Sequence, residues 1–369
     1  MARKLSYLSG LAVIGVVLYH ASGWGFVGMF WWTHRYLPVS TPNFDQMYSL
    51  PYFGLRFVEQ LVSFSIPAFL LVSGVFVAFA TGRSQSTLGW GSAWARIRHL
   101  AIPFLFWSTV MLAAAFLQGE TYSAAEAIRM ILLGQTTPAF YFVPLLCQLY
   151  LLAPLLVPWA RSKWKPLLVG AALLQGLVHA IRYLLVLQVP IPGLDILADL
   201  TPAWFFPGGA FWFVLGMVAG FHQDGLKALL TRARAVLLPA AAALLILGMA
   251  EWELLLKLSG ERWISPRPTL IDDLYSLTVL LAFLALEGVR LPFSRPLNSL
   301  GSRSYGVYLV HSLVLTLLAK AIYHVAPGLL GVQGLLQPLL VVAGLGLPLL
   351  LMALVRNSPA RVVYEYQFG

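Results

Sequence analysis

The stretch Leu11-Ala12-Val13-Ile14-Gly15-Val16-Val17-Leu18-Tyr19-His20 decides the fold. It is apolar up to Tyr19-His20, and the apolar pattern resumes through Trp24, Phe26, Met29, Phe30, Trp31 and Trp32. A run of this length crosses a bilayer, which takes about 20 helical residues. An ionisable side chain at that depth costs about 2–10 kcal/mol if charged. It persists where a bundle interior or a water-filled cavity receives it. His20 therefore reads as a functional residue, against the plainer alternative of a neutral imidazole bonded to a neighbouring helix. Arg3 and Lys4 ahead of the run, with Ala21, Ser22 and Gly23 behind it, also fit a signal peptide. The continuing apolar stretch favours a retained first span.

Outward from this segment the same composition continues. Of 369 residues, 59% are hydrophobic and only 10% are charged, against about 25% charged in soluble domains. Further apolar stretches lie near 53–80, 100–118, 138–160, 166–188, 203–222, 235–256, 271–289, 304–326 and 335–356. The expectation is an all-α, polytopic integral membrane protein of about ten transmembrane helices. It forms a single transmembrane domain over 1–369, with no separate soluble domain.

Charge sets the orientation. With a cytoplasmic N-terminus, one set of connections holds sixteen of the 24 basic residues, among them Arg3, Lys4, Arg83, Arg96, Arg98, Arg161, Lys163, Arg303 and Arg356. The opposite set holds five: Arg35, Arg129, Lys257, Arg262 and Arg267. It also carries acids, Asp45, Asp195, Asp199, Asp272 and Asp273 among them. This positive-inside bias predicts both termini in the cytoplasm. The net charge of +10 is thus first a topological signal. Basic residues dispersed over short loops argue against a nucleic-acid partner. The single cysteine, Cys147, forms no internal disulfide, and seven scattered histidines give a metal site little support.

Several residues interrupt the apolar pattern. In Phe64-Ser65-Ile66-Pro67-Ala68-Phe69-Leu70-Leu71-Val72-Ser73-Gly74, Pro67 removes a backbone donor and kinks the helix, and Gly74 allows close helix approach. Arg56 and Glu59, three apart, share a helix face and read as an interfacial ion pair. His179 and Arg182 repeat that spacing near the outer end of the fifth span. They either snorkel to the interface or face a polar or anionic acceptor. Glu251 and Glu253 read as interfacial. Arg96-Ile97-Arg98-His99 is expected as an inner loop opening the third span. Its guanidinium forks suit phosphates, with positive-inside anchoring as the alternative. In Ser304-Tyr305-Gly306-Val307-Tyr308-Leu309-Val310-His311 a second histidine stands about 12 Å along a helix from Arg303, inside the bilayer. The outer loops 33–52 and 257–270, rich in aromatics and proline (Pro266 and Pro268 included), either pack over a cavity mouth or form an interfacial belt.

Together these segments resemble the acyltransferase type 3 family of polytopic membrane proteins. Four blocks carry the likeness. Leu8-Ser9-Gly10-Leu11 through Val16-Val17-Leu18-Tyr19-His20 is similar to the family's first helix. Ile66-Pro67-Ala68-Phe69 to Ser73-Gly74 is similar to its second. Arg96-Ile97-Arg98 to Pro103-Phe104 and Trp107 is similar to its third. Ser304-Tyr305-Gly306-Val307-Tyr308-Leu309-Val310-His311 is similar to its late S-Y-G-I-Y-L-x-H block. Phe142 through Tyr150 to Pro154 adds an aromatic fourth-helix block.

The resemblance implies transfer of an acyl group, acetyl first among them, from cytoplasmic acyl-CoA to a hydroxyl at or beyond the membrane. The acceptor would be a glycan, a glycolipid or a small molecule, and the setting a bacterial inner or plasma membrane. His20 matches the proposed catalytic histidine, acting as general base. Arg96 and Arg98, with Arg303, stand where CoA phosphates are expected. Tyr19, Ser65 or Ser73 would donate to the oxyanion, and His311, His179 and Arg182 would support substrate. The family commonly carries Asp fourteen residues and Arg eleven residues before this histidine; here Ser6 and Ser9 stand there. Three other readings stay open to the sequence: an exporter or flippase, for which Pro67 has no clear counterpart in the second half; a family member that kept the fold and lost the chemistry; and a protein in which the histidines only pack. Homo-oligomer formation also stays open.

Overall fold

Alternation of long apolar stretches with short polar connections folds this chain as a helical bundle. The computed structural model describes residues 2–82, 85–264, 269–286 and 289–369. Arg83, Pro266, Arg267 and Pro268 lie outside the described residues. In chain order the helices are α1 (Ala2–Phe26), α2 (Leu50–Val62), α3 (Ser65–Thr81), α4 (Trp90–Leu117), α5 (Ala124–Leu132), α6 (Phe142–Ser162), α7 (Trp164–Val186) and α8 (Leu194–Asp199). Then follow α9 (Ala210–Phe221), α10 (Gln223–Ser259), α11 (Leu270–Ala285), α12 (Ser294–Gly301), α13 (Ser304–Val325), α14 (Gln333–Arg356) and α15 (Tyr364–Phe368). Among the described residues there is no strand.

Eight of the ten apolar stretches are helices long and apolar enough to cross a membrane, with α2 and α3 together forming one of them. The sixth and eighth are shorter: α9 has 12 residues and α11 has 16. In the sixth stretch, Pro202 and Pro207 fall before the helix and a 3-10 turn over Phe206–Gly208 takes its first part. The third helix begins ten residues before the expected 100. Arg96, Arg98 and His99 are therefore helical, and the expected inner loop there is corrected. Hydropathy marks the part of a helix within the bilayer, and α4 continues past it.

Pro67 breaks the second span. Its ring conflicts with the carbonyl four residues back, at Ser63, and the helix is interrupted at Ser63–Phe64. The Ser65 hydroxyl donates to the carbonyl of Val62 at 2.7 Å, so the break leaves that carbonyl satisfied, as membrane depth requires.

At the centre runs α1, with Ala12, Val13, Val17 and Ala21 fully buried against α2, α3, α12, α13 and α14. Glycine sets a close contact between α3 and α9. Gly74 faces the backbone of Phe213–Met217, Gly216 faces that of Leu71, and Gly220 faces Val75 and Ala78. Backbone cannot move aside as a side chain can. Gly74→Val is therefore expected to cost about 1–3 kcal/mol by overpacking, read as a lower midpoint of thermal unfolding in detergent.

Both termini lie at one end of the bundle. Lys4 donates to the Leu286 carbonyl, and Gly301 packs on the backbone of Ser6 and Gly10. Trp107 Nε1 donates to the Gln367 carbonyl at 2.8 Å, burying Phe368. At the other end, the two long loops meet. Trp263 packs at 4.9 Å on Phe26, 5.4 Å on Phe30 and 5.7 Å on Trp252. Their aromatics thus form a packed cluster with Phe44, Met47 and Tyr52.

Candidate active site

A cavity of about 1060 Å³ opens inside the bundle. Its walls come from α1 (Val16, Tyr19, His20, Trp24), α2 (Arg56, Glu59, Gln60), α7 (His179, Arg182), α10 (Gly248, Trp252), α11 (Asp272, Asp273, Ser276) and α13 (Tyr308, Ser312). The break at Ser63–Phe64 and Pro67 also line it. It is there that a straight helix would have filled the space.

His20 is half-buried and lines this cavity. Its ring contacts Tyr19 edge-on at 5.5 Å and the ring of His311 at 5.2 Å between centroids. His311 is fully buried. Its Nδ1 lies 2.6 Å from the Tyr308 carbonyl, which can only accept, so Nδ1 carries the hydrogen. Tyr308 in turn donates to the Ala139 carbonyl. Beside them the Thr137 and Ser312 hydroxyls are hydrogen-bonded at 2.5 Å.

Farther from the termini the wall is charged. Arg56 and Glu59, 6% and 4% exposed, form an ion pair, and the Arg56 guanidinium lies 3.8 Å from the Trp252 ring centroid. The expected interfacial pair is thus a buried one facing the cavity. Gln60 donates to Asp272 Oδ1 at 2.8 Å, while Asp272 Oδ2 takes the Thr269 amide at 2.9 Å in a capping box. Asp273 Oδ2 accepts from Gln175 Nε2 at 2.5 Å and from His179 Nε2 at 2.7 Å. His179 and Arg182 therefore both line the cavity, His179 with Asp273 as its acidic partner. Glu251 and Glu253, expected as interfacial, accept from the Tyr183 and Tyr52 hydroxyls.

The remaining expected residues stand elsewhere. Ser65 lines the cavity, but its hydrogen goes to Val62. Ser73 lies outside the cavity lining. Of the three proposed oxyanion donors, Tyr19 is the one left facing the space. Arg96, Arg98 and Arg303 also lie outside the lining. Arg96 sits on α4 with its guanidinium 5.7 Å from the Tyr150 ring centroid. Arg98 is exposed, and Arg303 is exposed and bonded to the carbonyl and hydroxyl of Ser299. At Ser6 and Ser9, α1 is covered by α12, whose Leu297 carbonyl and Gly301 meet Gly10 and the Ser6 carbonyl. Among the described residues no group of three or more His, Cys, Asp or Glu is placed to hold a metal ion.

Sequence reading missed Gln60, Tyr141, Asp272 and Asp273 as cavity residues. A signal existed for the acids. Thr269-x-x-Asp272 is a helix-start pattern, so two carboxylates open a span where loop charges were expected.

A family model described as an acyltransferase domain matches residues 3–356. That is essentially the whole chain, and the protein belongs to this family of membrane acyltransferases, the one that the four sequence blocks resemble. Neither the comparison with curated proteins nor that with solved structures yields a match.

Proposed function

We propose that the protein transfers an acyl group, acetyl first among candidates, from cytoplasmic acyl-CoA to a hydroxyl of a glycan, glycolipid or small molecule, with His20 as general base. The observation that carries this reading is His20 itself: an imidazole at membrane depth, half-buried, on the wall of a 1060 Å³ cavity whose largely apolar lining also holds Arg56, Glu59, Asp272 and Asp273. An unperturbed imidazole titrates near pH 6.5, so its basic form is the majority form at neutral pH. Neutral His20 accepts the hydroxyl proton as the acceptor oxygen attacks the thioester carbonyl carbon, and the Tyr19 hydroxyl serves as donor to the oxygen that becomes anionic. The C–S bond then breaks, and His20 returns the proton to the departing thiolate, giving free CoA.

The charge bias makes the end with both termini the cytoplasmic one. Three guanidiniums there, on Arg96, Arg98 and Arg303, supply what a nucleotide's phosphates need. Toward the other end, the cavity offers carboxylates, amides and the Trp24 and Trp252 rings, a donor, acceptor and aromatic mixture that suits a hydroxyl-rich acceptor.

The test needs no knowledge of the acceptor. CoA or acetyl-CoA at 100 times its dissociation constant is expected to stabilise the purified protein by about 2.7 kcal/mol. The stabilisation is expected to weaken with dephospho-CoA and again in Arg96→Ala. Absence of any thermal shift at millimolar ligand removes acyl-CoA from the reading.

A further inference from the structure

His311 is the buried group that the mechanism above leaves unused. It lies outside the cavity lining and is fully buried. Its Nδ1 hydrogen is committed to the Tyr308 carbonyl. In the neutral ring this fixes the tautomer and leaves Nε2 with a lone pair. That nitrogen is buried without a hydrogen-bond partner, a condition that calls for a reason in a native structure. The nearest ring is that of His20, at 5.2 Å between centroids.

We propose that His311 is the positioning residue for His20: its Nε2 accepts an N–H of His20 and so leaves the other nitrogen of His20 with its lone pair directed into the cavity. A turn of the His20 side chain that closes the 5.2 Å ring separation completes a relay from the Tyr308 carbonyl through His311 to His20, each imidazole donating backward and offering a lone pair forward. It follows the logic by which a buried acceptor sets the tautomer of a catalytic histidine, with a neutral imidazole in the acceptor's place. When His20 takes the acceptor's proton, the same Nε2 shares the charge of the imidazolium, and no ion stands alone in the bundle. His20 is in ring contact with Tyr19 on its own helix and with His311, and it shares the cavity lining with Tyr141, Arg56 and Glu59. Of these, His311 is the one with an unused, buried lone pair in ring contact.

The proposal rests on His20 acting as the base, and its test separates the two. Full-length wild type, His311→Phe, His311→Gln and His20→Ala are compared by two readouts. One is thiol release from acetyl-CoA with water as acceptor. The other is the rate at which diethyl pyrocarbonate modifies His20, read by peptide mass spectrometry, which reports the exposed lone pair without any catalysis. The expected result is a loss of roughly 10²-fold in thiol release for His311→Phe. His20 modification slows with it, both recover in large part in His311→Gln, whose amide oxygen accepts the same N–H, and the thermal midpoints stay close to wild type. Wild-type rates in both readouts for His311→Phe, with thiol release lost in His20→Ala, overturn the proposal and leave His20 as a base acting alone. Equal losses in the Phe and Gln variants, accompanied by lower midpoints, overturn it in favour of packing. Wild-type thiol release in His20→Ala overturns the functional reading itself.

Discussion

His20→Ala is expected to lower the turnover of acyl transfer by roughly 10²–10⁴-fold, the usual contribution of a general base, in protein whose thermal midpoint stays near that of wild type. The asymmetry follows from where the ring sits. His20 already borders a large cavity, so its removal enlarges an existing space and does not open a sealed void. Its contacts are edge and face contacts with Tyr19 and His311, and no backbone group depends on it. A histidine that only packs would behave in the opposite way, costing stability and leaving turnover in the surviving protein unchanged. The measurement is thiol release from acetyl-CoA alongside thermal unfolding of the same preparation. Undiminished release from a stable His20→Ala protein would show that another group removes the proton.

The largest effect on stability is expected at the Arg56–Glu59 pair. Both side chains are nearly inaccessible, and the guanidinium also lies over Trp252. Arg56→Leu leaves the Glu59 carboxylate buried without its partner, which costs about 3–5 kcal/mol. The lower end applies here, because the cavity can hydrate part of the carboxylate. A double replacement, Arg56→Leu with Glu59→Leu, removes both charges and is expected to recover more than half of the loss, since a buried pair contributes little beyond neutralising itself. Thermal unfolding of the two singles and the double closes this cycle. A double variant as unstable as Arg56→Leu would mean that Arg56 acts through Trp252 and not through Glu59.

The helices were legible because bilayer-length apolar runs are a one-dimensional signal. Each of the ten stretches falls on a helix; α9 is short where proline takes the start of its stretch, while α11 holds Asp272 and Asp273 within its first turn and ends at Ala285. His20 and His311 were each conspicuous alone, since a titratable group at membrane depth is costly wherever it sits. Their contact was not legible. They lie on α1 and α13, and spacing within one helix says nothing about which faces of two helices meet. The same limit hid Asp272 and Asp273. As charges near a loop they fit the orientation count, and only the convergence of α2, α7 and α11 turns them inward onto Gln60, Gln175 and His179. The position of Arg96 and Arg98 on a helix was lost for another reason: polar residues past the bilayer edge look like a loop to any measure of hydropathy.

The longest helix carries two very different tolerances to change. Along part of its 37 residues α10 rests on α11, and it shows Val236, Leu238, Ile246 and Leu247 to its surroundings. There one aliphatic residue serves as well as another, because lipid tails and leucine are equally apolar. In a single turn near its end, Glu251, Trp252 and Glu253 meet Tyr183, Arg56 and Tyr52, and these contacts are directional, so no substitute keeps them. Over generations, drift can exchange one aliphatic residue for another on the exposed face of α10, while that one turn is held by its contacts with Tyr183, Arg56 and Tyr52.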